Sequence, residues 1–279
     1  MDPQSPLLAL IALAATALVF VALAAVELAV PRRRLRHGRS RRWTTNLGLF
    51  ALDTALVRLA VPLLMIGTAQ LAEVRGWGLF NQLALPFWLE LLLVLALLDL
   101  ALFLQHWATH RVPLLWRLHQ VHHADPDFDV TTAARFHPLE IALSMLYKMA
   151  VVAALGPTAL TVFVFEVVFV AATVFVHANL SLPPALDRSA RSAIVTPDMH
   201  RIHHSTLQRE TNSNFGTMLS GWDRLFGTYR DRAQAGQDGL TIGLAEYQDR
   251  RPLGLWWSLV LPFRHRARLA DKAKGPQSG

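Results

Sequence analysis

The stretch "LEIALSMLYKMAVVAALGPTALTVFVFEVVFVAATVFV", residues 139–176, holds thirty-eight residues and only three charges, Glu140, Lys148 and Glu166. A helix needs about 20 residues to cross the hydrocarbon layer of a bilayer, so the run is long enough for two spans. Near its middle stands "LGPTAL" (155–160), where Gly156 and Pro157 break a helix. The run therefore reads as two membrane helices joined by a tight turn. Other runs repeat the message. Residues 6–30, "PLLALIALAATALVFVALAAVELAV", carry one acid, Glu27, and residues 83–105 form a further greasy run. A weaker candidate extends from about Asn46 to Leu71, interrupted by Asp53 and Arg58, which are spaced to pair within it. The composition agrees: 53% of the 279 residues are hydrophobic and 17% charged, against about 25% charged in ordinary soluble domains. The expected fold is all-α, a multi-pass integral membrane protein with five spans.

The basic residues set an expected orientation. Seven arginines crowd "PRRRLRHGRSRR" (31–42), directly after the first run. Arginines beside a span mark the cytoplasmic side and contact anionic lipid. This places the N-terminus outside, the turn of the 139–176 hairpin outside, and everything after His177 in the cytoplasm, in a cell (inner) membrane. The first run lacks a basic leader before it, so it reads as a retained anchor. The net charge of +7 comes without the interleaved aromatics of a nucleic-acid surface, so no nucleic-acid partner is expected. With no cysteine in the chain, disulfides, thiolate zinc sites and cysteine-held iron–sulfur clusters are excluded. Three segments are expected: spans and arginine loop over 1–90, a catalytic domain over 91–230, and an interfacial helix with basic tail over 231–279. In the last, Trp256 and Trp257 of "RPLGLWWSLVLPF" suit a membrane interface.

Ten of the twelve histidines fall between His106 and His204, leaving only His37 and His265 outside. In "QHWATHR", His106 and His110 are four apart and share a helical face. "HQVHH" (119–123) and "HRIHH" (200–204) each place three histidines at i, i+3 and i+4. Eight imidazoles from three clusters, with His177 as a ninth from the hairpin, can form the surroundings of two metal ions. Imidazole suits iron, zinc, copper and nickel alike, so ligand type leaves the metal open. One isolated histidine is ordinarily a surface or core residue, but three helical clusters on one membrane face point to metal. Haem would call for lone axial histidines, and a zinc protease for HExxH, which is absent. Asp99 lies seven residues before His106, toward the membrane; it reads as a bond to a ligand histidine, or else as a structural partner of an arginine such as Arg135.

From Leu91 to Tyr229 the chain resembles the fatty acid hydroxylase superfamily, also called the sterol desaturase family. The resemblance rests on "DLALFLQHWATH", "LWRLHQVHH", "RFHPLE", "VHANL", "HRIHHS", "NFG" and "WDRLFGTY". These relatives are membrane-bound non-haem di-iron oxygenases. The resemblance implies two iron ions, O2 as co-substrate, and hydroxylation or desaturation of a membrane lipid. It implies as ligands His106, His110, His119, His122, His123, His177, His200, His203 and His204; His137 of "RFHPLE", with Pro138 after it and Arg135 two residues before, reads as a structural residue or a partner of a ligand, and only a possible further ligand. Phe103 stands where relatives often carry tyrosine, and Thr173 where some carry another histidine. An external electron donor is implied, a ferredoxin, cytochrome or reductase, because the chain offers no cysteine and no GxGxxG to hold electrons itself. The alternatives are a non-catalytic or zinc-loaded protein on the same scaffold, and a di-b-haem electron carrier.

Overall fold

The computed structural model describes residues 6–60 and 64–264; the basic tail and His265 lie outside them. Among the described residues the chain is helical, without a strand beyond two isolated bridges, Ile194 with Leu219 and Ser205 with Ile242. The principal helices are α1 (Pro6–Ala29), α2 (Arg39–Ala60), α3 (Leu64–Arg75), α4 (Phe87–Arg111) and α5 (Pro113–His123). They continue as α6 (Pro138–Leu155), α7 (Ala159–His177), α8 (Pro184–Ala190) and α9 (Pro197–His203). Among the described residues four stretches are long and apolar enough to cross a membrane, one within 39–82 (of which 61–63 lie outside the described residues), then α4, α6 and α7, while Ala14–Ala29 of α1 is a shorter apolar stretch. The second of the expected spans thus begins at Arg39 rather than near Asn46.

The 139–176 run folds as the hairpin its sequence implies. Gly156 ends α6 at φ 62°, in the left-handed region that favours glycine. Thr158 caps α7 with its hydroxyl, and its own N–H donates to Glu90 of α4 at 2.7 Å. Glu90 therefore works at the far end of the bundle from the histidines. Along the bundle α3, α4, α6 and α7 share one core, including Met65, Val94, Leu98, Val152, Val162 and Phe165. Pro113 stops α4 and starts α5, turning the chain so that both histidine segments face inward.

A buried polar network locks the parts that surround the histidines. Arg42 is fully buried and holds Asp125 at 2.7 Å and Asp129 at 2.5 Å. Asn46 donates to Asp125 at 3.0 Å and accepts from the buried Arg135 at 2.9 Å. Arg135 also donates to the carbonyls of Val121 and Pro252, at 2.8 and 2.9 Å. Glu27, the lone acid of α1, accepts from the N–H groups of Val130 and Asn179, at 3.1 and 3.0 Å. Helices α1 and α2 are fastened to the segment that follows "HQVHH" by charge buried among hydrogen bonds.

Four sequence expectations change here. The arginine loop is largely folded onto the body. Besides Arg42, Arg32 pairs with Asp238 at 2.6 Å, and Arg33 donates to the Leu240 carbonyl at 2.5 Å, while Arg34, Arg36 and Arg41 stay exposed. Arg135 serves this network and not Asp99, which lies on α4 beyond its reach. Asp53 and Arg58 do not pair: five residues apart on a helix, they point to different sides, and Asp53 is buried while Arg58 is not. Of the two interfacial tryptophans only Trp256 is exposed; Trp257 is buried against Tyr247, ring centroids 5.0 Å apart.

Removing one partner of a buried ion pair leaves the other charge uncompensated, at a cost of about 3–5 kcal/mol. Arg42→Ala should therefore lower the thermal unfolding midpoint of the detergent-solubilised protein sharply, whereas Arg41→Ala, at an exposed site, should leave it in place. Equal midpoints for the two variants would contradict the network's structural role.

Candidate metal centre

Each histidine segment reaches the centre by a different local device. His106 and His110 lie on the last two turns of α4, and His119, His122 and His123 on the inner face of α5. His177 is the final residue of α7. His200 and His203 lie on α9, a short helix started by Pro197 and capped by the Thr196 hydroxyl, and His204 follows as its C-cap. The rings gather into two groups. His106, His110, His119, His123 and His203 form one, and His122, His177, His200 and His204 the other. Within each group the candidate ligand nitrogens lie within 4.8 Å of one another. His123 and His204 stack between the groups with ring centroids 4.6 Å apart, so the two sites adjoin.

Second contacts fix the ring orientations. His106 Nδ1 donates to the Phe215 carbonyl at 2.7 Å, His177 Nδ1 to Thr173 at 2.7 Å, and His203 Nδ1 to Ser213 at 2.8 Å. His122 Nδ1 faces the Arg135 carbonyl at 3.2 Å, and His119 Nδ1 faces the Glu140 carboxylate at 2.6 Å. A carbonyl or carboxylate accepts only, so each of these Nδ1 atoms carries the proton and each Nε2 carries a lone pair. The consequence is a chemical test of the site. His177 Nε2 lies 3.3 Å from His122 Nε2 and 3.1 Å from His200 Nε2. For His177 and His122 this sets two lone pairs face to face, which repel unless a cation lies between them. His106 Nε2, His119 Nε2, His203 Nε2 and both nitrogens of His123 and His204 are buried without a protein partner. Each such orphan costs about 1–3 kcal/mol if left unpaired, and a metal coordinated at one nitrogen of each ring removes the cost of that nitrogen.

Protonation does not offer another way out. Burial, followed by the neighbouring imidazoles, holds His122, His123, His200 and His204 well below the ordinary histidine range. Burial brings His203 down to about 3. Neutral imidazoles are the form that binds metal. The donor set, all imidazole nitrogen with no thiolate and, among the described residues, no carboxylate in either group, fits two borderline divalent ions such as iron.

The nine histidines singled out from the sequence are thus brought together, and the tenth is not. His137 caps α6: its Nδ1 accepts from Leu139 N–H at 3.2 Å, and its Nε2 donates to the Leu259 carbonyl at 3.1 Å. Pro138 forces this arrangement, since it opens the helix and leaves the preceding side chain to cap it. Asp99 reaches no histidine. It accepts from the N–H groups of Met218 and Leu219, at 3.3 and 3.0 Å, and from Trp222 Nε1 at 2.9 Å. Asp223 likewise takes the N–H groups of Phe215 and Gly216, at 2.8 and 2.9 Å. Together these two carboxylates hold the loop whose Phe215 carbonyl orients His106. Sequence reasoning assigned no role to Glu140, three residues after His137, although it closes the motif "RFHPLE" and is an acid at the start of an apolar span. It missed the aromatic walls too. Phe136 stacks on His122 at 4.4 Å, Phe128 on His177 at 5.6 Å, and Trp116 covers His110 at 4.9 Å.

Comparison with known proteins points to the segment that carries the nine histidines. The family model described as Fatty acid hydroxylase matches residues 91–228. An ornithine lipid hydroxylase of Rhizobium tropici is 28% identical over 200 residues, covering 69% of this chain and 56% of the relative. An alkylglycerol monooxygenase of Xenopus tropicalis is 25% identical over 205 residues, covering 70% of this chain and 43% of its own. The human cholesterol 25-hydroxylase is 28% identical over 146 residues, covering 50% and 51%. The chain spans about half the length of the curated relatives it matches. No solved structure matches it.

Partners of ligand histidines are typically worth about 10–100-fold in metal affinity. Glu140→Ala should weaken metal binding by that order in a chelator competition on purified protein. His137→Ala should leave affinity unchanged and cost about 1 kcal/mol of stability through the lost cap. The reverse pattern would exchange the roles given to these two residues.

Proposed function

This chain belongs to the fatty acid hydroxylase family, and on that footing we propose that it is an integral membrane oxygenase that hydroxylates or desaturates a lipid at a non-haem di-iron centre. The observation that carries the reading is the pair of adjoining histidine groups with their orphaned, inward-facing nitrogens. His106, His110, His119, His123 and His203 would hold one ion, and His122, His177, His200 and His204 the other. Bound iron supplies the redox chemistry by which O2 is used against an unactivated C–H bond. The chain's own part is positional. Glu140 and the carbonyls of Phe215, Arg135, Thr173 and Ser213 keep the lone pairs of His119, His106, His122, His177 and His203 turned inward. Phe136, Phe128 and Trp116 wall the rings and would exclude water from the site.

Crowding argues against haem. Four or five imidazole nitrogens mutually within 4.8 Å take up the volume that a porphyrin plane would need. Lipid as the substrate class is supported by the relatives, named for ornithine lipids, alkylglycerols and cholesterol, and by the long apolar helices that lead to the histidines. The histidine side is assigned to the cytoplasm of a cell membrane, following the arginine loop.

Hydroxylation with O2 consumes two electrons that the lipid does not supply, and the chain has no cysteine to hold a cluster. The donor is therefore a separate carrier, a ferredoxin, cytochrome or reductase, docking on the histidine side. Exposed Arg34, Arg36 and Arg41 would attract an acidic carrier, an attraction that weakens as salt rises. Incubated with iron, a reducing system and candidate lipids under 18O2, the purified protein should form product over many turnovers only when the donor is present, a hydroxylated product carrying one 18O. Sustained turnover without any donor would point to a redox-neutral reaction and overturn this reading.

A further inference from the structure

Between α1 and α7 runs an apolar groove of about 670 Å³, within the roughly 300–1,000 Å³ of small-molecule sites. Its lining carries no charged side chain, and its one hydroxyl is Thr217. One wall is α1, the other α7, and alanines Ala22, Ala171 and Ala172 keep both walls low. Three segments converge at one end. Phe175 lies two residues before His177, and Val195 packs with Val176 and Met199, the residue before His200. Thr217 lies two residues after Phe215, whose ring centroid is 5.6 Å from His106 and 5.1 Å from His110. The groove thus starts among helices that run through the bilayer and ends against the backbone that carries both histidine groups.

The chemistry of the lining selects the occupant. A polar ligand would lose its hydrogen bonds to water and find almost none here. A hydrocarbon chain loses nothing, and a slot narrowed only by helix-borne methyl groups suits one flexible chain. We propose that this groove is a tail-binding subsite for a single linear acyl or alkyl chain, which enters sideways from the bilayer between α1 and α7 and is led to the histidine groups. Its role in catalysis rests on the oxygenase reading; its capacity to bind a chain does not. α1 lies outside the matched segment 91–228, so one wall of the subsite is built from residues beyond that segment, and α1 becomes a determinant of chain length.

The absence of cysteine makes the test clean. Single cysteines replacing Ala171, in the groove, or Leu143, on the exposed face of α6, are labelled with a bimane fluorophore in the full chain in detergent. Doxyl-labelled stearic acid is then titrated in. Saturable quenching at position 171, several-fold above the gradual quenching at 143, is expected; equal quenching at both overturns the proposal. Ala172→Trp should abolish the saturable phase and cut product from long-chain lipids by at least tenfold relative to short-chain ones, with metal content unchanged. An unaltered chain-length profile together with unaltered quenching in Ala172→Trp also overturns it. Saturable quenching in a protein that oxygenates no lipid under any condition would leave the groove in place and remove the oxygenase reading.

Discussion

Lone pairs that face one another govern this structure. The Nδ1 protons of His122 and His177 are spent on backbone carbonyls, so their Nε2 atoms meet at 3.3 Å as two acceptors. The rings are buried, and 3.3 Å leaves no room for a water between the two nitrogens. Protonation of His122 is opposed by the same burial and then by the neighbouring rings. A cation satisfies every one of these nitrogens together, and the rest of the molecule follows from the need to keep them in place. Without metal, a site so crowded with acceptors would be a liability, and with it the same crowding becomes the pre-organisation that gives affinity.

Holding nine imidazoles drawn from four helices requires a scaffold stiffer than lipid-facing helices alone supply. The protein uses buried polar groups for this. Arg42 binds Asp125 and Asp129, Arg135 ties Val121 to Pro252, and Glu27 fastens α1 to Val130 and Asn179. Asp99 and Asp223 do the corresponding job on the opposite side, where they organise residues 215–222 behind His106 and His203. Such groups are expensive to bury singly and stable when fully partnered. Their cost gives the ring positions a single solution, which a greasy interface of leucines and valines would not specify.

Much of this was legible in the sequence, for definite reasons. Apolar runs and the Gly156–Pro157 break announce the hairpin, because span length and backbone conformation are local properties. The i, i+3, i+4 spacing announces which histidines share a face, again a local property of helices. The residues that misled are those whose partners lie far along the chain. Arg42 looked like a lipid-facing charge, since nothing near it in sequence reveals Asp125, eighty-three positions on. Asp99 looked like a histidine partner because both share a helix, yet its acceptor atoms were claimed by a loop 119–123 positions away. His137 was set apart from the other histidines by the proline after it, a local signal, and the structure makes it a helix cap. Glu140 was hidden by its place in an apolar span.

The claim at the centre of this account is that the two histidine groups each hold one iron ion. Elemental analysis of the purified full chain, combined with Mössbauer spectroscopy of protein expressed with 57Fe, tests it directly. Two irons per chain are expected, with signals of nitrogen-rich non-haem sites and no haem absorption. A folded, active protein with a single iron per chain, or with zinc in place of iron, would contradict the account.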